Sequence, residues 1–214
     1  MDNISLKTIV VALAVIFIVS GCSKDDATDN KNADYSPLTA NSSWTYQNTP
    51  GSSFTLTATN RDTVANGKSY RVLQNSSGSN IYLAKRGNDY FRFGAIAELG
   101  VNAVEELYLK SNEAVNATWL VSQAFTAPGI PLPLTANLNY TIKEKGISRT
   151  TGAKTFANVM HVRSDLSISG FGSIGGGDFY YAEGVGLIEN KISISVPGQA
   201  AFNQNQVLTA YDIK

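Results

Sequence analysis

The sequence predicts an all-β domain: a single antiparallel sheet of about 9–11 strands, curled into a half-barrel or a barrel, with little helix. Three observations lead to this prediction. Apolar and polar residues alternate with period two in many segments, as in half-buried antiparallel strands. Pairs of Gly with Asn, Ser, Thr or Lys interrupt these segments at short intervals. Stretches with the period of a helix are nearly absent.

In the first half of the domain, residues 44–46 and 54–58 alternate and are predicted to form the first strands. The pair Asn66-Gly67 lies between residues 61–65 and 69–73 and predicts a tight hairpin, because both residues tolerate a positive φ. The turns are short, which favours a meander over a Greek-key sandwich.

The second half contains the clearest alternation, over residues 160–168, 192–196 and 207–213. Within the first of these, the residues predicted to face the core are Met160, Val162, Leu166 and Ile168, and those predicted to face solvent are His161, Arg163, Asp165 and Ser167. Residues 95–99 and 101–107 are the two places where a turn or two of helix is expected.

The N-terminus has the pattern of a secretory signal. Residues 9–19 are apolar and uncharged, Lys7 precedes them, and the small residues Ser20 and Gly21 follow. The apolar run is shorter than the roughly 20 residues that a permanent membrane span needs. Residues 19–22 resemble the bacterial lipobox, which implies cleavage before Cys22 and lipidation of that cysteine. The predicted domains are therefore a signal peptide (1–21), a disordered tether carrying the lipid (22–35) and a β domain (36–214).

The residues after the cysteine, Ser23, Lys24, Asp25 and Asp26, resemble the surface-export signal of Bacteroidota lipoproteins. This resemblance implies an outer-membrane protein that is anchored by its lipid and exposed at the cell surface. The alternative is an ordinary solvated tether on a lipoprotein whose domain faces the periplasm.

Two further motifs enclose the β domain. Residues 35–46 (YSPLTANSSWTY) and 179–189 (FYYAEGVGLIE) resemble the opening and closing motifs of a group of Bacteroidota lipoproteins. That group resembles the curved antiparallel sheets of periplasmic lipoprotein carriers. The resemblance implies location and fold class and supplies no activity. From the residues themselves, Trp44 and Tyr46 are expected to form a buried aromatic pair, and Gly184 and Gly186 to mark a bulge or a positive φ.

No motif specifies a catalytic, cofactor or metal site, so we expect a non-enzyme without a cofactor. Residues 170–175 match G-x-G-x-x-G, but a strand-like segment follows where a dinucleotide site needs a helix. His161 is the only histidine, which excludes a multi-histidine metal site, and we expect it to be a solvated surface residue. Glu105 and Glu106 are adjacent, so in a strand they point to opposite faces. The formal net charge of zero gives no reason to expect nucleic acid as a partner.

Two surface features remain. Asp62-Thr63-Val64 matches a short O-glycosylation signal of Bacteroidota, which makes Thr63 a candidate for modification. Residues 127–134 combine three prolines with aliphatic residues and cannot join a hydrogen-bonded ladder. This segment is either a plug over the sheet or a lid at the mouth of an apolar pocket, and the lid would be formed by Ile130, Leu132 and Leu134.

Three functions stay open at this point. The first is a binding module that holds an apolar or amphiphilic ligand on a curved sheet, which is favoured because such sheets enclose ligand volume. The second is a structural or accessory subunit of an outer-membrane assembly with an envelope protein as partner. The third is a hydrolase whose carboxylates converge from distant strands.

Overall fold

A computed structural model describes residues 34–96, 101–125, 133–195 and 200–214. They belong to one compact unit, Asn32–Lys214, and form an all-β fold, as predicted. Twelve antiparallel strands make one nearly closed, barrel-shaped sheet. The strands are β1 (Ser43–Thr49), β2 (Ser53–Ala65), β3 (Lys68–Asn75), β4 (Asn80–Arg86), β5 (Asp89–Ile96), β6 (Val101–Lys110), β7 (Thr118–Phe125), β8 (Leu134–Thr151), β9 (Lys154–Ile168), β10 (Gly172–Ala182), β11 (Gly186–Ile194) and β12 (Phe202–Asp212).

The strand order is β6-β5-β4-β3-β2-β1-β12-β11-β10-β9-β8-β7. Each half of the chain is thus a meander, and the two meanders join where β1 pairs with β12. The edges of the sheet are β6 and β7, which follow each other in the sequence. Trp119 of β7 closes part of the gap between them, because its Nε1 donates to the Leu107 carbonyl oxygen of β6 at 2.7 Å.

The prediction of a helical turn at residues 101–107 is wrong, because this segment is part of strand β6. Val101, Val104 and Leu107 are three residues apart and mimic a helical stripe, but the ladder with β5 determines the conformation. Residues 95 and 96 end β5, and 97–100 lie outside the described residues. In the described part of the chain, no helix is long and apolar enough to cross a membrane.

The predictions for the Asn66-Gly67 hairpin, for the two glycines near residue 185 and for the buried face of β9 are confirmed. Asn66 and Gly67 have φ values of 50° and 72° and turn the β2–β3 hairpin. Gly184 and Gly186 also have positive φ, at 73° and 104°. The alternating apolar residues of β9 are buried, with exposures between 0% and 6%: Met160, Val162, Leu166 and Ile168.

The two ends of the barrel differ. The odd-numbered strands finish and the even-numbered strands start at one end, which we call the far end. The segment before β1, residues 34–42, lies at the other, which we call the N-terminal end. There the Gly184 amide donates to the Asp34 carbonyl oxygen at 2.7 Å, and the Tyr35 amide donates to the Tyr90 hydroxyl at 3.1 Å. Tyr35 is 5% exposed, so this segment belongs to the core.

Candidate functional site in the barrel interior

The barrel contains two neighbouring cavities, which together we call the lumen. Their volumes are about 280 Å³ toward the N-terminal end and about 400 Å³ toward the far end. Protein interiors contain few voids larger than a water molecule, so this amount of unfilled space is unusual for a packed core. The two cavities share a wall of seven residues: Ile81, Arg92, Glu106, Tyr140, Phe179, Ile192 and Gln204.

The cavity at the N-terminal end combines an aromatic and aliphatic wall with a row of amides. Trp44 and Tyr46 of β1 form part of the apolar wall, which also includes Phe54, Leu56, Leu73 and Leu83. The amides come from Asn190 of β11 and from Gln204 and Gln206 of β12. A ligand here would meet mainly apolar surface together with several polar groups, as in many small-molecule sites.

The cavity at the far end is bordered by two glycines of β10, the strand that also contributes Phe179 to the shared wall. Gly176 and Gly177 line this cavity with their backbone. An ideal Cβ on Gly176 would lie 2.1 Å from the Ser164 carbonyl oxygen, so no larger residue fits. The motif at residues 170–175 thus runs into the glycines of strand β10, and no helix follows it.

A charged network crosses the shared wall. Arg92 donates from Nε and Nη2 to Glu106 Oε2, at 2.9 Å and 2.5 Å. The Tyr140 hydroxyl donates to the other oxygen of Glu106. The Glu106 side chain is 7% exposed, whereas Arg92 is 53% accessible, because its guanidinium borders both cavities.

The pKa shifts of Arg92 and Tyr140 keep both groups protonated as hydrogen-bond donors. The negative charge of Glu106 raises the pKa of Arg92. Burial raises the pKa of Tyr140, and the nearby Glu106 carboxylate raises it further. Tyr140 therefore stays protonated and continues to donate to Glu106.

The neighbouring carboxylate, Glu105, lies on the opposite face, as predicted from its position in a strand. It lines neither cavity and contacts Lys68 Nζ at 2.6 Å, Arg86 Nη1 at 2.9 Å and the Tyr70 hydroxyl. Burial raises the pKa of Glu105, but these three hydrogen bonds outweigh burial and lower it overall. Glu106 thus faces the lumen, and its neighbour Glu105 lies on the outer face of the sheet.

We expect the Glu106→Gln variant to lose about 2 kcal/mol of stability. Breaking a fully buried ion pair costs about 3–5 kcal/mol, and the loss is smaller here because Arg92 is accessible from the lumen. Urea unfolding followed by circular dichroism measures the difference. Glu105→Gln, which changes three more exposed contacts, is the matched comparison, and a larger loss in that variant would contradict this interpretation of the inner pair.

The buried tyrosines make the fold sensitive to alkali. Burial raises the pKa above the usual 10.0 for seven of the ten tyrosines, namely Tyr35, Tyr46, Tyr70, Tyr108, Tyr140, Tyr180 and Tyr181. A raised folded-state pKa gives stability that is complete below the unfolded pKa and is lost as the pH rises through the folded one.

We therefore expect unfolding to begin above about pH 10, and most tyrosines to ionise together with it. Tyrosinate absorbance and circular dichroism, recorded on the same samples against pH, measure the two processes. Ionisation of nearly all tyrosines while the fold remains intact would contradict the prediction.

The two motifs behind the family resemblance meet inside the barrel. Trp44 and Tyr46 are 5% and 4% exposed, which confirms the predicted buried aromatic pair. Trp44 Nε1 donates to the Val185 carbonyl oxygen at 2.7 Å, and the Tyr46 hydroxyl donates to that of Leu187 at 3.0 Å. The opening motif therefore binds the backbone of the closing motif, which gives both a structural role.

His161 is less exposed than predicted. It lies on the polar face of β9, but its side chain is only 14% exposed and stacks on Tyr180 with ring centroids 4.4 Å apart. Its Nε2 lies 2.8 Å from Asp178 Oδ1 and its Nδ1 lies 3.1 Å from Glu144 Oε2. The neighbouring strands β8 and β10 supply these carboxylates, so the prediction of a solvated residue is wrong. Among the described residues, no group of three or more His, Cys, Asp or Glu is arranged to hold a metal ion.

Of the predicted site residues, the structure describes Thr63 and Leu134. Those outside the described residues are Cys22, Ser23, Lys24, Asp25, Asp26, Ile130 and Leu132. Thr63 is half-buried in β2, where it pairs with Tyr70. Leu134 begins β8 at the far end and packs in an apolar cluster with Leu138, which lines the far cavity.

Sequence reasoning did not identify Arg92 as a lumen residue. The available signal was a lone arginine between Phe91 and Phe93, but which strand face lies inside depends on the register of β5 with its neighbours.

No protein-family model and no curated protein matches this sequence. Among solved structures, the chain is similar to a candidate lipoprotein from Parabacteroides distasonis, with a TM-score of 0.48 and 15% identity over 84% of this chain and 99% of that one. It is also similar to a candidate exported protein with a YmcC-like fold from Bacteroides fragilis, with a TM-score of 0.43 and 10% identity over the same shares. At these identities and TM-scores, the two structures do not indicate what this chain binds.

Proposed function

We propose that this protein is a lipid-anchored, non-catalytic envelope protein that binds an apolar or amphiphilic ligand in the barrel lumen. The lumen itself is the observation that supports the proposal. An empty apolar volume costs roughly 24 cal/mol per Å³, so cavities of about 280 and 400 Å³ would cost about 7 and about 10 kcal/mol if they were dry and unfilled. A ligand, with or without water, offsets that cost.

The lumen has the composition that such a ligand needs. Aromatic and aliphatic side chains provide most of its wall. The polar side chains are Arg92, Glu106, the amides of β11 and β12, and Ser36, Asn75, Asn80 and Ser164. Leu134, one of the three proposed lid residues, begins β8 at the far end and packs in the apolar cluster beside the far cavity.

The other two functions fit the interior less well. A glycosidase-type site needs two carboxylates, and among the described lumen residues Glu106 is the one acid, with Arg92 and Tyr140 on its oxygens. An accessory subunit would be expected to have a packed interior and one exposed apolar patch. The large exposed apolar side chains of the described chain instead occupy separate segments: Val64, Val115, Leu120, Phe171, Phe202 and Tyr211.

Fluorescence of N-phenyl-1-naphthylamine, a neutral apolar probe, tests ligand binding directly. We expect saturable binding by the wild type and its loss in Ile192→Trp, because Ile192 lines both cavities and the larger ring would obstruct the region where they meet. Val64→Trp adds the same ring at an exposed site of β2 and should bind like the wild type. Binding that survives in a folded Ile192→Trp protein would place the probe outside the lumen and overturn the proposal.

The anchor is tested separately in the full chain. We expect Cys22→Ser to move the protein from the membrane fraction to the soluble fraction. Replacing Lys24, Asp25 and Asp26 with alanine should keep it in the membrane but remove its accessibility to protease on intact cells. Membrane retention of the Cys22→Ser protein would contradict the lipid anchor.

A further inference from the structure

The guanidinium of Arg92 has hydrogen-bond capacity that the protein does not use. Arginine has five N–H groups, and two of them are directed at Glu106 Oε2. The two N–H groups of Nη1 and the second of Nη2 have no partner among the described residues. Since the side chain is 53% accessible and borders both cavities, these donors are available to a molecule in the lumen.

The lumen is nevertheless electrically neutral. Among the described residues that line the two cavities, Arg92 and Glu106 are the charged ones, and they form one ion pair. An incoming carboxylate would meet Glu106 as well as Arg92, because the same guanidinium faces both. It would also lose its hydration without gaining an unpaired positive charge, which is unfavourable in a low-dielectric site.

An uncharged hydrogen-bond acceptor avoids both costs. An ester or amide carbonyl, or a hydroxyl group, can accept from Nη1 while Glu106 keeps its bonds to Arg92 and Tyr140. The position of Arg92 in the shared wall places such a group near the middle of the lumen. The apolar wall that includes Trp44, Phe54 and Leu73 lies on one side of it and can cover a hydrocarbon chain.

We propose that the lumen ligand is an uncharged amphiphile whose polar group accepts hydrogen bonds from Arg92. This inference rests on the proposed ligand-binding function and adds the class of the head group. It assigns Arg92 as the residue that binds the head group, and Glu106 as the residue that excludes anions by neutralising Arg92.

Two probes of equal chain length and different charge test the inference: 1-monolauroylglycerol, which is neutral, and laurate, which is an anion at pH 7.5. Each is titrated against bound N-phenyl-1-naphthylamine, so that displacement gives its affinity. For the wild type, we expect 1-monolauroylglycerol to bind at least about tenfold more tightly than laurate. For Arg92→Met, we expect the affinity for 1-monolauroylglycerol to fall about tenfold, a loss typical of one hydrogen bond to a charged group.

The variants of the two adjacent carboxylates provide the sharpest comparison. In Glu106→Gln the charge of Arg92 is no longer neutralised, so laurate should bind about tenfold more tightly while 1-monolauroylglycerol changes little. Glu105→Gln makes the same substitution on the outer face, where Glu105 contacts Lys68 and Arg86, and should change neither affinity.

The outcomes separate this inference from the proposed function. If the naphthylamine probe binds but laurate equals or exceeds 1-monolauroylglycerol on the wild type, the head-group inference is overturned and ligand binding stands. The same conclusion follows if Arg92→Met leaves both affinities unchanged. If the naphthylamine probe does not bind the wild type at all, the proposed function fails together with the inference.

Discussion

Replacing Gly175 with alanine is expected to destabilise the protein by about 4 kcal/mol. Gly175 has a φ of 131°, which L side chains rarely adopt, and an ideal Cβ would lie 2.1 Å from the Ser193 carbonyl oxygen and 2.9 Å from Ile194 Cα. These are backbone atoms of the paired strand β11, so they cannot move without disturbing the ladder. The clash therefore adds to the conformational cost of a side chain at this φ.

Gly170→Ala separates the two costs. Gly170 also has a positive φ, 82°, but nothing lies within 4 Å of an added Cβ. This control should lose only about 1 kcal/mol, the conformational part alone. Urea unfolding of both variants measures the difference. Equal losses would show that the steric clash with β11 does not contribute to the destabilisation of Gly175→Ala.

Trp44→Ala is expected to cost about 5 kcal/mol of stability, at the upper end of the range for a buried aromatic residue. Removal of a buried tryptophan side chain typically costs about 3–5 kcal/mol, and Trp44 is 5% exposed. The change also leaves the Val185 carbonyl oxygen without its donor. The substitution therefore removes a contact between β1 and the turn that precedes β11.

Trp44→Phe tests how this loss is divided. It keeps most of the aromatic volume but removes the Nε1 donor, so we expect a loss of about 1–2 kcal/mol. The remaining tryptophan, Trp119, reports unfolding by fluorescence in both variants. If Trp44→Phe were as unstable as Trp44→Ala, the hydrogen bond rather than burial would be the dominant contribution.

The sequence was sufficient to predict the fold class because period-two alternation is local. Met160 and Val162 are buried and Arg163 is on the polar face, as their parity indicates. Segment 101–107 was an exception, since apolar residues three apart resemble a helical face and only pairing with β5 distinguishes a strand from a helix.

The lumen chemistry could not be predicted in the same way. Arg92 and Glu106 are paired across β5 and β6, and the register shifts on either side of that pair, between Tyr90 and Phe91 and between Gly94 and Ile96. Each shift exchanges the faces of the residues that follow, so counting parity along one strand does not identify which residues enter the barrel. The contacts of His161 depend in the same way on two other strands, β8 and β10.

The pairing of β1 with β12 also has a consequence for the order of folding. Each meander consists of contacts between consecutive strands, which form early because little chain has to be ordered to make them. The ladder between Trp44 and Tyr211 joins opposite ends of the domain and has the largest loop to close. A nascent chain can therefore form two separate half-sheets, but it cannot enclose the lumen until β12 has been synthesised and pairs with β1. Binding of the proposed ligand should accordingly follow the pairing of β12 with β1.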